Sequence, residues 1–93
     1  MIIGLCELFI HLPNCHSLKD KRSVIKSLKS SIRKKYNISI AEIGYKDSWK
    51  RSTIGIGCVG DNRKLIDRII NKMINELDQN PEIQLINFQI TIN

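Results

Sequence analysis

Hydrophobic positions along the 93 residues change their spacing from one stretch to the next, and each spacing predicts an element. Residues 2–12, IIGLCELFIHL, are β-rich and end at Pro13-Asn14, which predicts a strand followed by a turn. Ile2, Cys6, Leu8, Ile10 and Leu12 share its even face, while Ile3, Leu5 and Phe9 share the odd face with Glu7 and His11. A strand apolar on both sides belongs in the middle of a sheet and needs cover on its second face. From residue 17 to 35 the period becomes helical: Leu18, Val24, Ile25, Leu28 and Ile32 fall in one sector at about 100° per residue. Ser17 serves as N-cap, with Asp20 placed three residues on as a short capping-box acid.

Residues 37–46 and 50–60 read as two strands joined at Asp47-Ser48-Trp49, a hairpin. In the second of them Ile54, Ile56 and Cys58 alternate with Thr53, Gly55 and Gly57, so one face is nearly bare and lets a neighbour approach closely. Asp61 is placed to cap a second helix reaching residue 79, with Leu65, Ile66, Ile69, Ile70, Met73, Ile74 and Leu77 as its core face. Asn80-Pro81 stops it. Residues 83–92 supply a last strand with Ile86, Phe88, Ile90 and Ile92 on one side. The order strand, helix, strand, strand, helix, strand predicts an α+β, ferredoxin-like split βαβ domain over residues 1–93. Two helices cover one face of a four-stranded antiparallel sheet, with the first and third strands central. The other face, bearing Ile3, Leu5 and Phe9, is the expected homodimer surface.

Composition adds little to this, but charge adds much. The net charge is +6, and residues 19–35 alone hold eight Lys or Arg against Asp20. Lys46, Lys50 and Arg51 around Asp47 add a further +2. A positive field confined to one helix and one loop is the asymmetry of a binder of nucleic acid or of an acidic surface. Three cysteines, Cys6, Cys15 and Cys58, form no CxxC pair, and an odd count speaks against a disulfide framework. Cys6 and Cys58 read as small buried hydrophobes. The amino terminus enters the first strand without a basic lead, and Glu7 and His11 interrupt its apolar run, so no signal peptide or membrane span is expected. The expected location is the cytoplasm.

Lys19, Arg22, Lys26, Lys29 and Arg33 step by three and four, and so stack into a ridge beside the apolar seam. Each such like-charge pair costs roughly 0.2–0.5 kcal/mol, and no acid interleaves them. Lys19, Lys21 and Arg22 also sit at the positive end of the helix dipole, where acids are favoured. Two readings stand: a solvated face made of good helix formers, or a bound polyanion.

The strings Leu12-Pro13-Asn14-Cys15-His16-Ser17-Leu18-Lys19-Asp20-Lys21-Arg22 and Ala41-Glu42-Ile43-Gly44-Tyr45-Lys46-Asp47-Ser48-Trp49-Lys50-Arg51 resemble the two signatures of the YlxP-like family. Where relatives tend to carry Gln before the Asp, this chain has Lys46. The resemblance implies a small bacterial protein of ferredoxin-like fold and unknown function. It also implies, by gene neighbourhood alone, a connection to RNA or the ribosome. It singles out Trp49, which reads either as a lid over the sheet edge or as a stacking platform beside Lys46, Lys50 and Arg51. Asp47 reads as a turn residue, and Glu42 as the partner of a basic side chain.

Chemistry of other kinds finds less support. His11, Cys15 and His16 have no fourth ligand at metal-binding spacing. Cys15, near a helix start and basic residues, is a candidate for a lowered pKa, though no base is fixed beside it. Gly55, Gly57 and Gly60 lack the Lys-Ser or Lys-Thr of a phosphate loop, and the third strand lacks the aromatics of an RNA-recognition motif. The leading expectation is therefore a non-enzymatic, cofactor-free homodimer that docks RNA or the ribosome through Lys19, Arg22, Lys26, Lys29 and Arg33, assisted by Trp49, Lys50 and Arg51. One rival is a protein-interaction module for an acidic partner. The other is a small enzyme or ligand-binding protein using Glu7, His11 and Glu42 at the dimer seam.

Overall fold

Six elements follow one another in the computed structural model, which describes residues 1–93: β1 (Ile2–His11), α1 (Leu18–Lys35), β2 (Ser39–Gly44), β3 (Arg51–Gly60), α2 (Arg63–Asp78) and β4 (Gln84–Ile92). All pairings are antiparallel and the strand order is β2-β3-β1-β4, so β1 and β3 are central, as the alternation predicts. Both helices lie on one face, where Cys6, Leu8 and Ile10 of β1 and Ile54, Ile56 and Cys58 of β3 meet Ile25, Leu28 and Ile32 of α1 and Ile66, Ile70, Met73, Ile74 and Leu77 of α2. Gly4 is required by this packing. A Cβ there would stand 2.5 Å from Ile66 Cγ2 and 2.8 Å from Ile70 Cδ1, so its absence lets α2 close on the sheet.

Local signals decide the helix ends. Ser17 is extended and its Oγ accepts from Asp20 N at 3.0 Å, while Asp20 Oδ2 accepts from His16 N at 3.0 Å. The Ser17 bond satisfies a donor that the first turn leaves free, and the Asp20 bond fastens the residue before the cap. At α2 the cap is Asn62 and not Asp61: Asn62 Oδ1 accepts from Leu65 N at 3.2 Å. Both residue types cap well, and the one three residues before the free N–H takes the role.

Three positions that the sequence places on apolar faces are not in the core: Leu65, Ile86 and Phe88. Leu65 is exposed, because the buried stripe of α2 is centred on Ile66, Ile70, Met73 and Leu77 and leaves Leu65 on its flank. In β4 the register slips: Asn87 lies opposite Phe9 but Leu85 opposite Ile10, so Ile86 is the extra residue of a bulge. Leu85, Ile90 and Ile92 then pack on the core, while Ile86 is exposed and Phe88, although opposite Leu8, is left half-exposed at the sheet's edge.

The register also keeps Glu7 and Glu42, the two carboxylates offered for a site at the dimer seam, apart. Glu42 lies opposite Ile54, whose side chain is in the core, whereas Glu7 lies opposite Gly55 on the uncovered face. They are on opposite sides of the sheet and form no carboxylate pair.

Candidate functional site

Lys21 is the largest fully buried side chain in the molecule, only 1 % exposed. It stands at the helical spacing of Ile25, Leu28 and Ile32, in line with the apolar seam of α1. Its Nζ lies 3.0 Å from Glu42 Oε2 and donates to Tyr45 O at 2.7 Å and to Arg51 O at 3.2 Å, which satisfies all three ammonium protons. Ser52 Oγ donates to the same Glu42 oxygen at 2.6 Å, the short distance of a charge-assisted bond. Glu42 therefore does pair with a basic side chain, and the two signature strings meet at this contact.

The hairpin between β2 and β3 is fastened to the start of α1 by these bonds. Tyr45 has a φ of 56°, unusual for a residue other than glycine, and its carbonyl accepts from both Lys21 Nζ and, at 3.0 Å, Ser48 N. Gly44 leaves room beside Thr53, whose Cβ and Oγ1 would lie 3.0 Å from an added Cβ. Lys50 Nζ donates to Pro13 O at 2.8 Å, and Leu12 N donates to Lys50 O at 2.8 Å, joining the hairpin to the β1–α1 loop. Lys50 is thus engaged within the chain rather than standing free beside Trp49, which is 52 % exposed.

On the uncovered side of the sheet, below this hairpin, a cleft of about 380 Å³ opens between Phe9, His11, Tyr45, Arg51, Ile86 and Asn87. Arg51 Cζ lies 5.8 Å from the centroid of the Tyr45 ring, and His11 Nδ1 lies 2.9 Å from Gln84 Oε1. Phe9, grouped with Ile3 and Leu5 by its alternation, lies on the same face but at the cleft end. Ile3 and Leu5 are at the other end, beside Val59.

The ridge lies on α1. Lys19, Arg22, Lys26 and Arg33 are exposed and Lys29 is half-buried. The molecule's ion pairs are Lys21–Glu42 and Lys35–Glu76, so no carboxylate lies within 4.0 Å of any ridge cation. One internal contact touches the ridge, from Arg33 Nη2 to Ile40 O at 3.3 Å.

At the far end of α1, Tyr36 OH donates to Glu76 Oε1 at 2.8 Å and Lys35 Nζ approaches Glu76 Oε2 at 3.5 Å, tying α1 to α2. The Tyr36 bond, more than Lys35, holds the Glu76 carboxyl below its ordinary pKa. Burial first and Glu76 second push the Tyr36 hydroxyl up to about 12. The stability contributed by the carboxyl is present above the ordinary Glu pKa and lost as pH falls through its lower folded value. That contributed by the phenol is present below its ordinary value of 10.0 and lost as pH rises towards about 12. Tyr36→Phe is expected to flatten both limbs of the stability profile, measured as urea midpoints from acid to alkaline pH.

The reading of Cys15 as an activated thiol is overturned. Cys15 is buried, and burial, reinforced by Asp20, raises its pKa against the smaller opposing pull of Lys50 and Lys21. Burial pushes Cys6 up to about 11 and also raises Cys58. All three are core residues without thiolate character at neutral pH. No helix is long and apolar enough to cross a membrane.

Sequence reasoning found the ridge but missed the burial of Lys21 and the cleft-lining roles of Tyr45, Ile86 and Asn87. The signal for Lys21 was present in its seam spacing. The cleft had none, because β1, the hairpin, β3 and β4 contribute to it from distant parts of the chain.

Comparison with known proteins agrees with this architecture and adds kinship. A designed protein, "De novo designed protein Foldit4", superposes with a TM-score of 0.57 over 100 % of this chain and 97 % of its own, at 10 % identity, a likeness of fold alone. "Uncharacterized protein YlxP" of Bacillus subtilis (strain 168) is 35 % identical over 83 residues, covering 89 % of this chain and 90 % of that protein. Residues 3–90 match the family model described as "Protein of unknown function (DUF503)". With both signature strings joined at Lys21–Glu42 inside the matched span, the chain belongs to the DUF503 family, of which YlxP is a relative.

Proposed function

We propose that this protein is a non-enzymatic module that docks structured RNA, free or within the ribosome, through the α1 ridge. The observation that carries the reading is the row Lys19, Arg22, Lys26, Lys29 and Arg33, which repels itself along one helix and has no carboxylate partner in the fold. Such a row neutralises phosphates well and reads bases poorly. Trp49 stands exposed on the neighbouring hairpin, which supports the stacking platform over the lid. The test is retention of a labelled RNA hairpin across a salt series. Affinity is expected to fall with log salt at a slope of about −4 for five phosphate contacts. Absence of retention at low salt, or a slope near zero, overturns the reading. A cellular pull-down whose yield survives ribonuclease favours an acidic protein partner instead.

A second copy is the proposed cover for the open sheet face. Leu5 and Val59 are 46 % and 65 % exposed there beside Ile3, and Ile43 lies exposed across Gly55. Four strands, the longest of ten residues, project to roughly 30 by 19 Å, on the order of 600 Å² per copy. Pairing only the Ile3, Leu5 and Val59 ends, so that the cleft stays open, removes roughly half of that from each copy, the size of a weak, transient interface. Leu5→Glu is expected to turn a dimer into a monomer in sedimentation velocity. A wild-type chain that sediments as a monomer at high micromolar concentration contradicts the pairing.

A further inference from the structure

We propose that the cleft between Phe9, Tyr45, Arg51, His11, Ile86 and Asn87 is a binding site for one unpaired nucleotide, its base against the apolar and aromatic wall and its phosphate on Arg51. The proposal rests on the RNA reading above and deepens it, since an unpaired nucleotide is what a docked RNA would offer at a loop or an end.

The cleft has the size and the wall of a ligand site. Its volume of about 380 Å³ falls within the range of small-molecule pockets, and Phe9, Tyr45 and Ile86 give it an apolar lining with a few polar groups on the same opening. The Arg51 guanidinium has no carboxylate partner and within the chain meets the Tyr45 ring. A guanidinium offers five donors in a plane, suited both to phosphate oxygens and to stacking on a base. His11 uses Nδ1 towards Gln84, which leaves its other ring nitrogen free, and the Asn87 side chain adds an amide at the wall. The carboxylate on this face, Glu7, lies one repeat further along β1 and does not line the cleft. A cation, aromatic rings and amides without an acid fit a planar, anionic, ring-bearing ligand.

The site is also held in place from behind. Lys21 bonds the carbonyls of Tyr45 and Arg51, the two residues whose side chains form one rim of the cleft. Tyr45 is kept at positive φ, a conformation that persists only when its surroundings over-determine it and that gathers at ligand sites. The buried ion pair thus fixes the backbone from which both ligand groups project.

Two RNAs with a common stem, one a blunt duplex and one closed by a single-stranded loop, separate this site from the ridge. Wild type is expected to bind the looped RNA about ten-fold more tightly than the duplex at equal salt, the gain of a stacked base. Arg51→Gln and Tyr45→Asn, the latter tolerant of positive φ, are expected to lower the loop-to-duplex affinity ratio several-fold, a ratio from which any uniform loss of phosphate attraction at Arg51 cancels. Adenosine 5′-monophosphate is expected to shift the amide resonances of Tyr45, Arg51 and Ile86 and to leave those of the ridge unmoved. Equal binding of the two RNAs by wild type, with no shift on adding the nucleotide, overturns the cleft and spares the ridge. Nucleotide shifts at the cleft without duplex binding overturn the ridge and spare the cleft.

Discussion

Replacing Lys21 by alanine is expected to cost about 3 kcal/mol of folding stability and to lower the melting temperature by on the order of 15 °C. Lys21 is 1 % exposed and its ammonium has three acceptors, so truncation strips partners from Glu42, Tyr45 O and Arg51 O together. Removing one member of a buried pair costs about 3–5 kcal/mol because the other charge is left without compensation. Here the lower end applies: the Glu42 side chain is 21 % exposed and keeps its bond from Ser52, so water and a hydroxyl soften the loss. The measurement is the urea midpoint at constant denaturant slope, with hydrogen exchange of residues 45–51 as the local readout. Lys21→Met combined with Glu42→Leu is expected to recover most of the stability, since removing both charges removes the desolvation that each imposes. A Lys21→Ala protein as stable as wild type contradicts the structural role given to this contact.

The second large effect concerns binding. With all five ridge cations changed to Gln, the salt slope of RNA binding is expected to become shallower by about 4. Wild type loses roughly 250-fold in affinity between 50 and 200 mM salt at a slope of about −4, and the variant loses far less. Folding should move the other way. Four like-charge neighbours disappear, each worth roughly 0.2–0.5 kcal/mol, and Gln is nearly as good a helix former as Lys or Arg. A variant that is as stable as wild type, or more so, yet no longer holds RNA would mark the ridge as a surface kept for its ligand at the fold's expense. A variant that retains RNA with the wild-type slope would show the row to be a solvated face.

The fold was legible in the sequence because its elements announce themselves locally: the two-sided strand of β1, the half-bare alternation of β3 and the 3.6-residue stripe of α2 each need only a short window. The ridge was legible for the same reason. Lys21 was read as one more surface charge because residue type outweighed its seam position, and only the register of β2 against β3 reveals the carboxylate waiting opposite. The displacement of Ile86 needed the bulge, a pairing between segments distant in the chain, as Phe9 against Asn87 and Ile10 against Leu85 show. The choice of Asn62 over Asp61 is a shift of one position between two good caps.

The three cysteines lie one in β1, one in the β1–α1 loop and one in β3, and all are closed to solvent. An alkylating reagent can reach a given sulfur only after its shelter opens, so at reagent concentrations high enough to outpace reclosing the speed of labelling is set by the opening and not by the thiol. The chain therefore carries three stopwatches of its own. Cys15 times the release of the strap that Lys50 ties to Pro13, while Cys6 and Cys58 time the lifting of the helices from the central strands.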